Sequence, residues 1–479
     1  MHISHLLAEG QSSEVEGRPS PSSRELRRHY PTEGGHGWQQ MAGLNIVCSS
    51  PGTARVHRTK QSRIIMNKLL ALPIPGESFL LRRGEHNILV DGGYGSQALI
   101  SALSAPGVGV NHLHIVVCTH ADRDHAGGLT DLLDRAPSLQ VDELWLPGAW
   151  SETLPGLLRN PRRVMDALIA ELEEFAPDDA GSPDQDDDAF EARVHARIAK
   201  QRRNARGEQQ NTRFGTTRRD GETGLTWLKE QAENVELDAA YTKVFANGRR
   251  SVRYRAAKMQ LNIRWTAFWI GLIDTAERIR KIAVQAIRHD VTVRWFDFGE
   301  FSRTHRASGG APGLLLPLNS VELTVPPPPA VALSYVARLT PVNEECLVFF
   351  SPSMGWPGDL GVVFTGDSPL GHGTSYEDAL LDWPPDPTRW VVATTPHHGS
   401  ENNAPAYGHL SSRVLVALWL RSGGTSKHPG QTFRKLHPQS RACTHCPHLN
   451  LPLRAAEVQL TDYTGWPLFR VSAHDCRCR

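Results

Sequence analysis

No run of apolar residues in this chain approaches the roughly 18 that a membrane span requires. The nearest candidate, Trp265 to Val284, is interrupted by Asp274, Glu277, Arg278, Arg280 and Lys281 and reads as an amphipathic helix. No apolar segment follows a basic start, so a secretory signal is not expected, and the chain is read as free-standing and cytoplasmic. Charge of one sign is also missing. Lys and Arg number 52 against 51 Asp and Glu, a formal net charge of +1, which offers nucleic acid no global attraction yet leaves room for a local basic groove. Cysteine is scarce and odd in number, seven in 479 residues, which speaks against a disulfide framework. Tryptophan is plentiful at 12, and its large rings are expected in the interior or along a cleft.

Against this background one segment stands out, Thr119-His120-Ala121-Asp122-Arg123-Asp124-His125-Ala126-Gly127-Gly128. It follows the apolar run Ile115-Val116-Val117-Cys118, which predicts a buried strand. A strand that ends in two imidazoles and two carboxylates aims hard and borderline donors at one point, as a pair of divalent cations requires. The two glycines let the backbone pass close to that point before a helix expected from about Leu129. Solvated His/Asp turns are common, but this density of ligand types after a strand favours a dinuclear metal centre.

The motif resembles that of the metallo-β-lactamase superfamily, His-x-His-x-Asp-His, with Asp122 in the place of the second histidine. The His-x-Asp-x-Asp-His form is similar to that of the soluble hydrolase domain of the ComEC competence protein family and its free-standing relatives. Further landmarks follow in order: Gly76-Glu77-Ser78-Phe79-Leu80-Leu81 with Ile88-Leu89-Val90-Asp91-Gly92-Gly93, then Asn343-Glu344-Glu345-Cys346-Leu347-Val348-Phe349, then Val362-Val363-Phe364-Thr365-Gly366-Asp367. Pro396-His397-His398-Gly399-Ser400, His428-Pro429 and Val458 to Gly465 complete the series. The resemblance implies an αββα four-layer sandwich of class α/β with a large mid-chain insertion.

It also implies roles. His120 and Asp122 would bind a first metal, Asp124 and His125 a second, and Asp367 would bridge the two, with His397 a further ligand. Cations about 3.5–4 Å apart acidify a bridging water and stabilise charge on attacking and leaving oxygens. Asp124 would also orient that nucleophile, and His398 would act in catalysis by donating to a phosphate oxygen or a leaving group. His428 is read as a further ligand or a substrate contact; which of His397, His398 and His428 completes the ligand set stays open. Asp91 is either a support that fixes the loop and a histidine ring or a plain turn residue. A carboxylate at position 122 hardens the site and moves its preference from Zn²⁺ towards Mn²⁺.

The rest of the chain divides by composition. Residues 1–65, rich in Ser, Gly, Arg and His, are expected to be a disordered extension or upstream sequence, with Met66 the functional start, the other reading being a regulatory tail. Residues 66–150 would form the first half of the fold, 151–255 a charged insertion and 256–479 the second half. The insertion is expected to open with a helix from Val164 to Phe175 and then carry an acidic patch from Asp178 to Asp188. A basic tract follows, comprising Lys200, Arg202, Arg203, Arg206, Arg213, Arg218 and Arg219. Such blocks are solvated faces in most proteins, the alternative being an arm that contacts phosphates or a protein partner. Strands are expected at Val141–Pro147, Val291–Phe296 and Val331–Leu339. Cys443-Thr444-His445-Cys446 and the later Cys476-Arg477-Cys478 have zinc-knuckle spacing, although the Cys-x-Cys form favours a loop insertion and a frayed tail.

The sequence therefore points first to a metal-dependent nuclease or phosphodiesterase with two divalent ions, Zn or Mn, acting on nucleic acid or a nucleotide. Two further readings stand beside it: a small-molecule ester, lactone or amide hydrolase, and a partner-gated component of a defence or regulatory assembly.

Overall fold

A computed structural model describes residues 67–175, 223–232, 240–326, 333–354, 359–373, 375–425, 427–446, 452–461, 471–472 and 476–478, with part of 194–204. The expectations placed on residues 1–65, on the acidic patch and on most of the basic tract lie outside these residues.

The strands run in chain order as β1 (Lys68–Ala71), β2 (Phe79–Arg83), β3 (His86–Val90), β4 (His112–Val117), β5 (Gln140–Pro147), β6 (Thr292–Asp297), β7 (Leu316–Pro317) and β8 (Val321–Leu323). They continue as β9 (Phe349–Ser351), β10 (Gly361–Phe364), β11 (Gly371–His372), β12 (Asp378–Ala379), β13 (Trp390–Thr394), β14 (Leu415–Arg421), β15 (Arg441–Cys443), β16 (Ala456–Gln459) and β17 (Val471–Ser472). A nine-stranded sheet has the order β17-β16-β1-β2-β3-β4-β5-β6-β8, and a six-stranded sheet the order β15-β14-β13-β10-β9-β7. Strands β3 to β6 are parallel, and so are β10, β13, β14 and β15. Because side chains alternate along a strand, each sheet has two apolar faces to cover.

The inner faces cover each other. Leu69, Leu81, Ile88, Val90, Ile115, Val117 and Trp145 of the first sheet share one buried cluster with Phe349, Val362, Phe364, Val392 and Leu420 of the second. Outside the first sheet, Leu80, Leu89, Val116 and Leu144 pack under helices that include Pro161–Phe175, Gly224–Gln231, Ala240–Lys258 and Ile263–Arg288. Outside the second, Phe350, Val363, Val391 and Trp419 meet Ala406, Tyr407 and Leu410 of the helix Ala404–Ser411. The result is the αββα four-layer arrangement. Trp145, Trp269 and Trp295 are among the largest fully buried side chains, so tryptophan serves the interior.

The helix Ile263–Arg288 starts where the Asn262 side chain accepts from the amides of Arg264 and Trp265, leaving two fewer orphan donors. Its buried stripe runs Trp265, Trp269, Leu272, Ile273, Ala276, Ile279 and Ala283, the spacing of one helical face. Among the described residues no helix is long and apolar enough to cross a membrane. Arg202, counted in the basic tract, is buried and donates to the carbonyls of Ala337 and Thr340, with its guanidinium also 2.5 Å from Glu345. It is a structural cation, not a solvated one. Of the strand expected at Val331–Leu339, residues 333–339 contain the helix Tyr335–Leu339 instead, because Ser334 caps it by accepting from the Ala337 amide.

One buried ion pair ties the sheets together. Arg83, at the end of β2, reaches Asp359 at 3.2 Å, Ser351 Oγ at 3.2 Å and the Leu360 carbonyl at 2.5 Å, and both charged side chains are fully buried. Removing one member strands the other in a low-dielectric interior, whereas removing both does not. Arg83→Ala is expected to cost about 3–5 kcal/mol in urea unfolding, while the double change Arg83→Met with Asp359→Leu recovers most of that loss.

Candidate metal centre

The residues of the His-x-Asp-x-Asp-His motif sit on the turn after β4, at the edge where the two sheets meet. The helix there begins earlier than expected: Arg123–Ala126 is already helical, with Asp122 extended before it, and a short 3-10 turn covers Gly127–Leu129. Early helix entry brings Asp124 and His125 to one side of the turn. It is possible because neighbouring backbones press close. A Cβ on Gly128 would lie 1.9 Å from the Gly92 carbonyl oxygen, and one on Gly127 would lie 2.4 Å from that of Tyr94. The motif carbonyls meanwhile accept amides from adjacent loops, Asp124 from Glu77 at 2.7 Å and His125 from Gly92 at 2.6 Å.

Asp91, at the end of β3, anchors this turn. Its carboxylate accepts from the Thr119 amide (2.8 Å), the Thr119 hydroxyl (2.7 Å) and His125 Nδ1 (2.8 Å), and it is wholly buried. It holds this geometry with φ at +59°, a left-handed conformation that aspartate tolerates better than most residues. Of the two readings open for Asp91, support for the loop and a histidine ring describes its contacts.

The seven residues read as metal ligands or catalytic groups, Asp124 being read as both, converge. His120 Nε2 lies 3.3 Å from Asp122 and 3.4 Å from Asp367, His125 Nε2 lies 3.1 Å from Asp367, and His397 Nε2 lies 3.6 Å from Asp367. His398 Nε2 lies 2.9 Å from Asp124. Asp367 is delivered by the segment after β10, and His397 and His398 by the turn after β13. Both histidines have positive φ, +45° and +53°, followed by Gly399 at +84°. Such a run is strained for residues with a Cβ and persists only where it is held. Here Arg421, fully buried, donates from Nε to the His398 carbonyl at 2.8 Å, and the His397 amide donates to the Gly366 carbonyl at 2.9 Å.

A cation fits this arrangement. Nε2 of His120, Nε2 of His125 and Oδ1 of Asp367 are buried and make no hydrogen bond, although they stand within ion-pair distance of partner groups. Burying such groups without partners is costly, and a shared ion at their focus removes that cost. His120, His125 and Asp367 each place a donor atom within 4.8 Å of the others, and so do Glu77, His125 and His398. The local field agrees. Burial opposes a positive charge on His125, yet the carboxylates of Asp367 and Asp91 outweigh it and hold its pKa well above the usual imidazole range. Burial likewise opposes charge on His398, but the hydrogen bond to Asp124 and the nearby Glu77 carboxylate push its pKa up to about 10. A field that retains protons on buried imidazoles also retains divalent cations.

The ring nitrogens are set by their neighbours. His125 Nδ1 faces a carboxylate and His398 Nδ1 faces the Ser422 carbonyl at 2.8 Å, so in both Nδ1 donates; His125 Nε2 makes no hydrogen bond, whereas His398 Nε2 faces the Asp124 carboxylate at 2.9 Å. His120 Nδ1 meets the Thr119 hydroxyl, whose own proton goes to Asp91. His397 is opposite: its Nδ1 accepts from the Asn343 side-chain amide at 3.2 Å, which leaves the proton on Nε2.

Three other residues join the site without having been singled out as site residues. Glu77 is fully buried, with Oε2 unpaired by hydrogen bonds and 3.4 Å from His398 Nδ1, and burial raises its pKa. A glutamate between Gly76 and an apolar strand was the available signal. Arg278 reaches from the long helix to donate to the Ala121 carbonyl at 2.9 Å, and Asn343 orients His397; neither is legible without the fold. His428, preceding a cis peptide to Pro429, accepts from the Thr425 amide, and its ring centroid is 5.6 Å from that of His397. Burial and the neighbouring histidines lower its pKa to about 4, so it faces the site as a neutral ring.

The Metallo-beta-lactamase superfamily model matches residues 72–141, a stretch that contains Glu77, Asp91 and the whole His-x-Asp-x-Asp-His motif. No curated protein matches the chain. The match and the His/Asp clusters together suggest a metal-dependent hydrolase. Loss of Asp91 would free the His125 ring and the Thr119 turn at once. Asp91→Asn is expected to weaken divalent-metal affinity by about 10–100-fold, read by calorimetric titration, with little change in the circular dichroism spectrum.

Proposed function

We propose that the metallo-β-lactamase superfamily domain of this chain is a phosphodiesterase or nuclease, using two divalent ions held by His120, Asp122, Asp124, His125, Asp367 and His398. The observation that carries this reading is Asp122, whose carboxylate lies 3.3 Å from His120 Nε2 where an imidazole would stand in the commoner motif. With Asp124 and Asp367 it gives an oxygen-rich, negatively charged donor set, which favours hard ions such as Mn²⁺ over a purely imidazole-bound Zn²⁺. Sites of that kind suit phosphodiester cleavage, in which charge builds on oxygens. The likeness of the motif series to the ComEC hydrolase domain supports the same substrate class, and nucleic acid or a nucleotide in the cytoplasm is the expected substrate.

Bound ions would polarise the phosphoryl group and acidify water. The chain's own residues divide the remaining work. Asp91 and the Thr119 turn fix the His125 ring, and Arg278 holds the Ala121 carbonyl so that Asp122 and Asp124 keep their spacing. His398 donates from Nδ1 to the Ser422 carbonyl, and its Nε2, which faces Asp124 at 2.9 Å, would serve as a ligand once a cation takes the place of its proton. His397, protonated at Nε2 and about a quarter exposed, is placed to donate that proton to a leaving oxygen. The motif resemblance implied His397 as a ligand and His398 as the proton donor while leaving open which of His397, His398 and His428 completes the set; our reading gives that place to His398.

The test is a substrate panel with Mn²⁺ or Zn²⁺: single- and double-stranded DNA and RNA and a chromogenic phosphodiester, beside a nitrophenyl ester and a lactone. Metal-dependent phosphodiester cleavage abolished by Asp124→Asn is expected; turnover of only the ester or lactone by metal-loaded protein would sink the reading in favour of a small-molecule hydrolase. His398→Ala should lower bound metal. His397→Ala should leave metal content unchanged while kcat falls by about 10²–10⁴. If both variants keep their metal, the assignment of His398 is wrong.

A further inference from the structure

Far from the histidine–carboxylate motif in sequence, Cys443, Cys446, Cys476 and Cys478 place their Sγ atoms within 4.8 Å of one another. All four are buried, at 4%, 4%, 4% and 0% relative exposure. Cys443 closes β15 and Cys446 lies one turn later, while Cys476 and Cys478 belong to a separate segment that packs against them. We propose that these four cysteines hold a structural Zn²⁺ ion, distinct from the hydrolytic centre, that staples residues 476–478 to the end of β15.

The donor set is the first argument. Four thiolates are soft ligands, and tetrahedral sulfur coordination selects Zn²⁺ among the common divalent cations, whereas the Asp122-containing site takes harder ions. Spacing is the second. A zinc–sulfur bond of about 2.3 Å sets tetrahedral sulfur–sulfur edges of about 3.8 Å. Cys443 Sγ and Cys446 Sγ are 3.3 Å apart, close to such an edge and far beyond the roughly 2.05 Å of a disulfide. All six pairs fall inside the same short limit, which two separate disulfides do not require. The third argument is the surrounding hydrogen bonding. The Arg477 amide, between two of the cysteines, points at Cys446 Sγ at 3.3 Å, the kind of N–H that stabilises a bound thiolate.

The site also has a structural task. Arg421 Nη1 donates to the His445 carbonyl at 3.0 Å, inside the Cys443–Cys446 turn, while its Nε holds the His398 carbonyl. A rigid turn at the cysteines fixes the far end of the guanidinium that props up the strained His397-His398 segment.

The experiment uses the full chain, purified without added reductant. Metal analysis by mass spectrometry is expected to find one zinc per chain that survives in Asp367→Asn and is lost in the double variant Cys476→Ser, Cys478→Ser. Cobalt loading of the wild-type chain should give intense thiolate-to-cobalt absorption, and all seven cysteines should titrate as thiols once the protein is denatured with a chelator. These two readings decide the matter even where the double variant fails to fold. Folded wild-type protein with no thiolate–cobalt absorption, or four cysteines missing from the thiol count because they are paired as disulfides, would overturn the proposal.

Discussion

The Asp91 carboxylate is the constraint on which the rest of the site depends. It sits at the mouth of the first sheet, wholly buried, and accepts three hydrogen bonds from the two motif residues Thr119 and His125. A buried carboxylate is tolerable only when its oxygens are so occupied, and a histidine ring is useful as a ligand only when its orientation and tautomer are set. Each requirement meets the other here. The parallel register of β3 with β4 puts Val90 opposite Val117, so the ends of the two strands deliver aspartate and motif to the same level.

Around that anchor the site is assembled from loops at one edge of a rigid sandwich. The nine-stranded sheet contributes Glu77, Asp91 and the motif, and the six-stranded sheet contributes Asp367, His397 and His398. The inter-sheet core and the Arg83–Asp359 pair keep the two edges in fixed relation. Precision at the centre is thus a property of the packing beneath it, and the loops can remain irregular because their ends are fixed.

Much of this was legible in the sequence. The His-x-Asp-x-Asp-His turn announced itself by ligand density after an apolar strand, and Asp367, His397 and His398 by their place after further strands. The hydrogen-bond partners of the His397 and His398 rings were not, because tertiary structure brings the Asn343 amide to one and the Ser422 carbonyl to the other. Arg202 was counted with its charged neighbours because composition cannot reveal that one guanidinium of a basic tract is buried under a helix end. Residues 333–339 read as part of a strand from their apolar content, while the deciding signal was the cap supplied by Ser334. The four cysteines were joined by their spacing but read as a loop insertion and a frayed tail, because only the fold shows that Cys476 and Cys478 are buried against Cys443 and Cys446.

Asp124 and His398 touch across 274 residues of chain. A contact of that sequence separation closes a much longer loop than the local hairpin β2–β3 and so costs more chain entropy to form. An ion held by both halves would have no complete site on a chain in which they are apart. It would act as a thermodynamic latch, binding the folded state and by mass action drawing the folding equilibrium towards it.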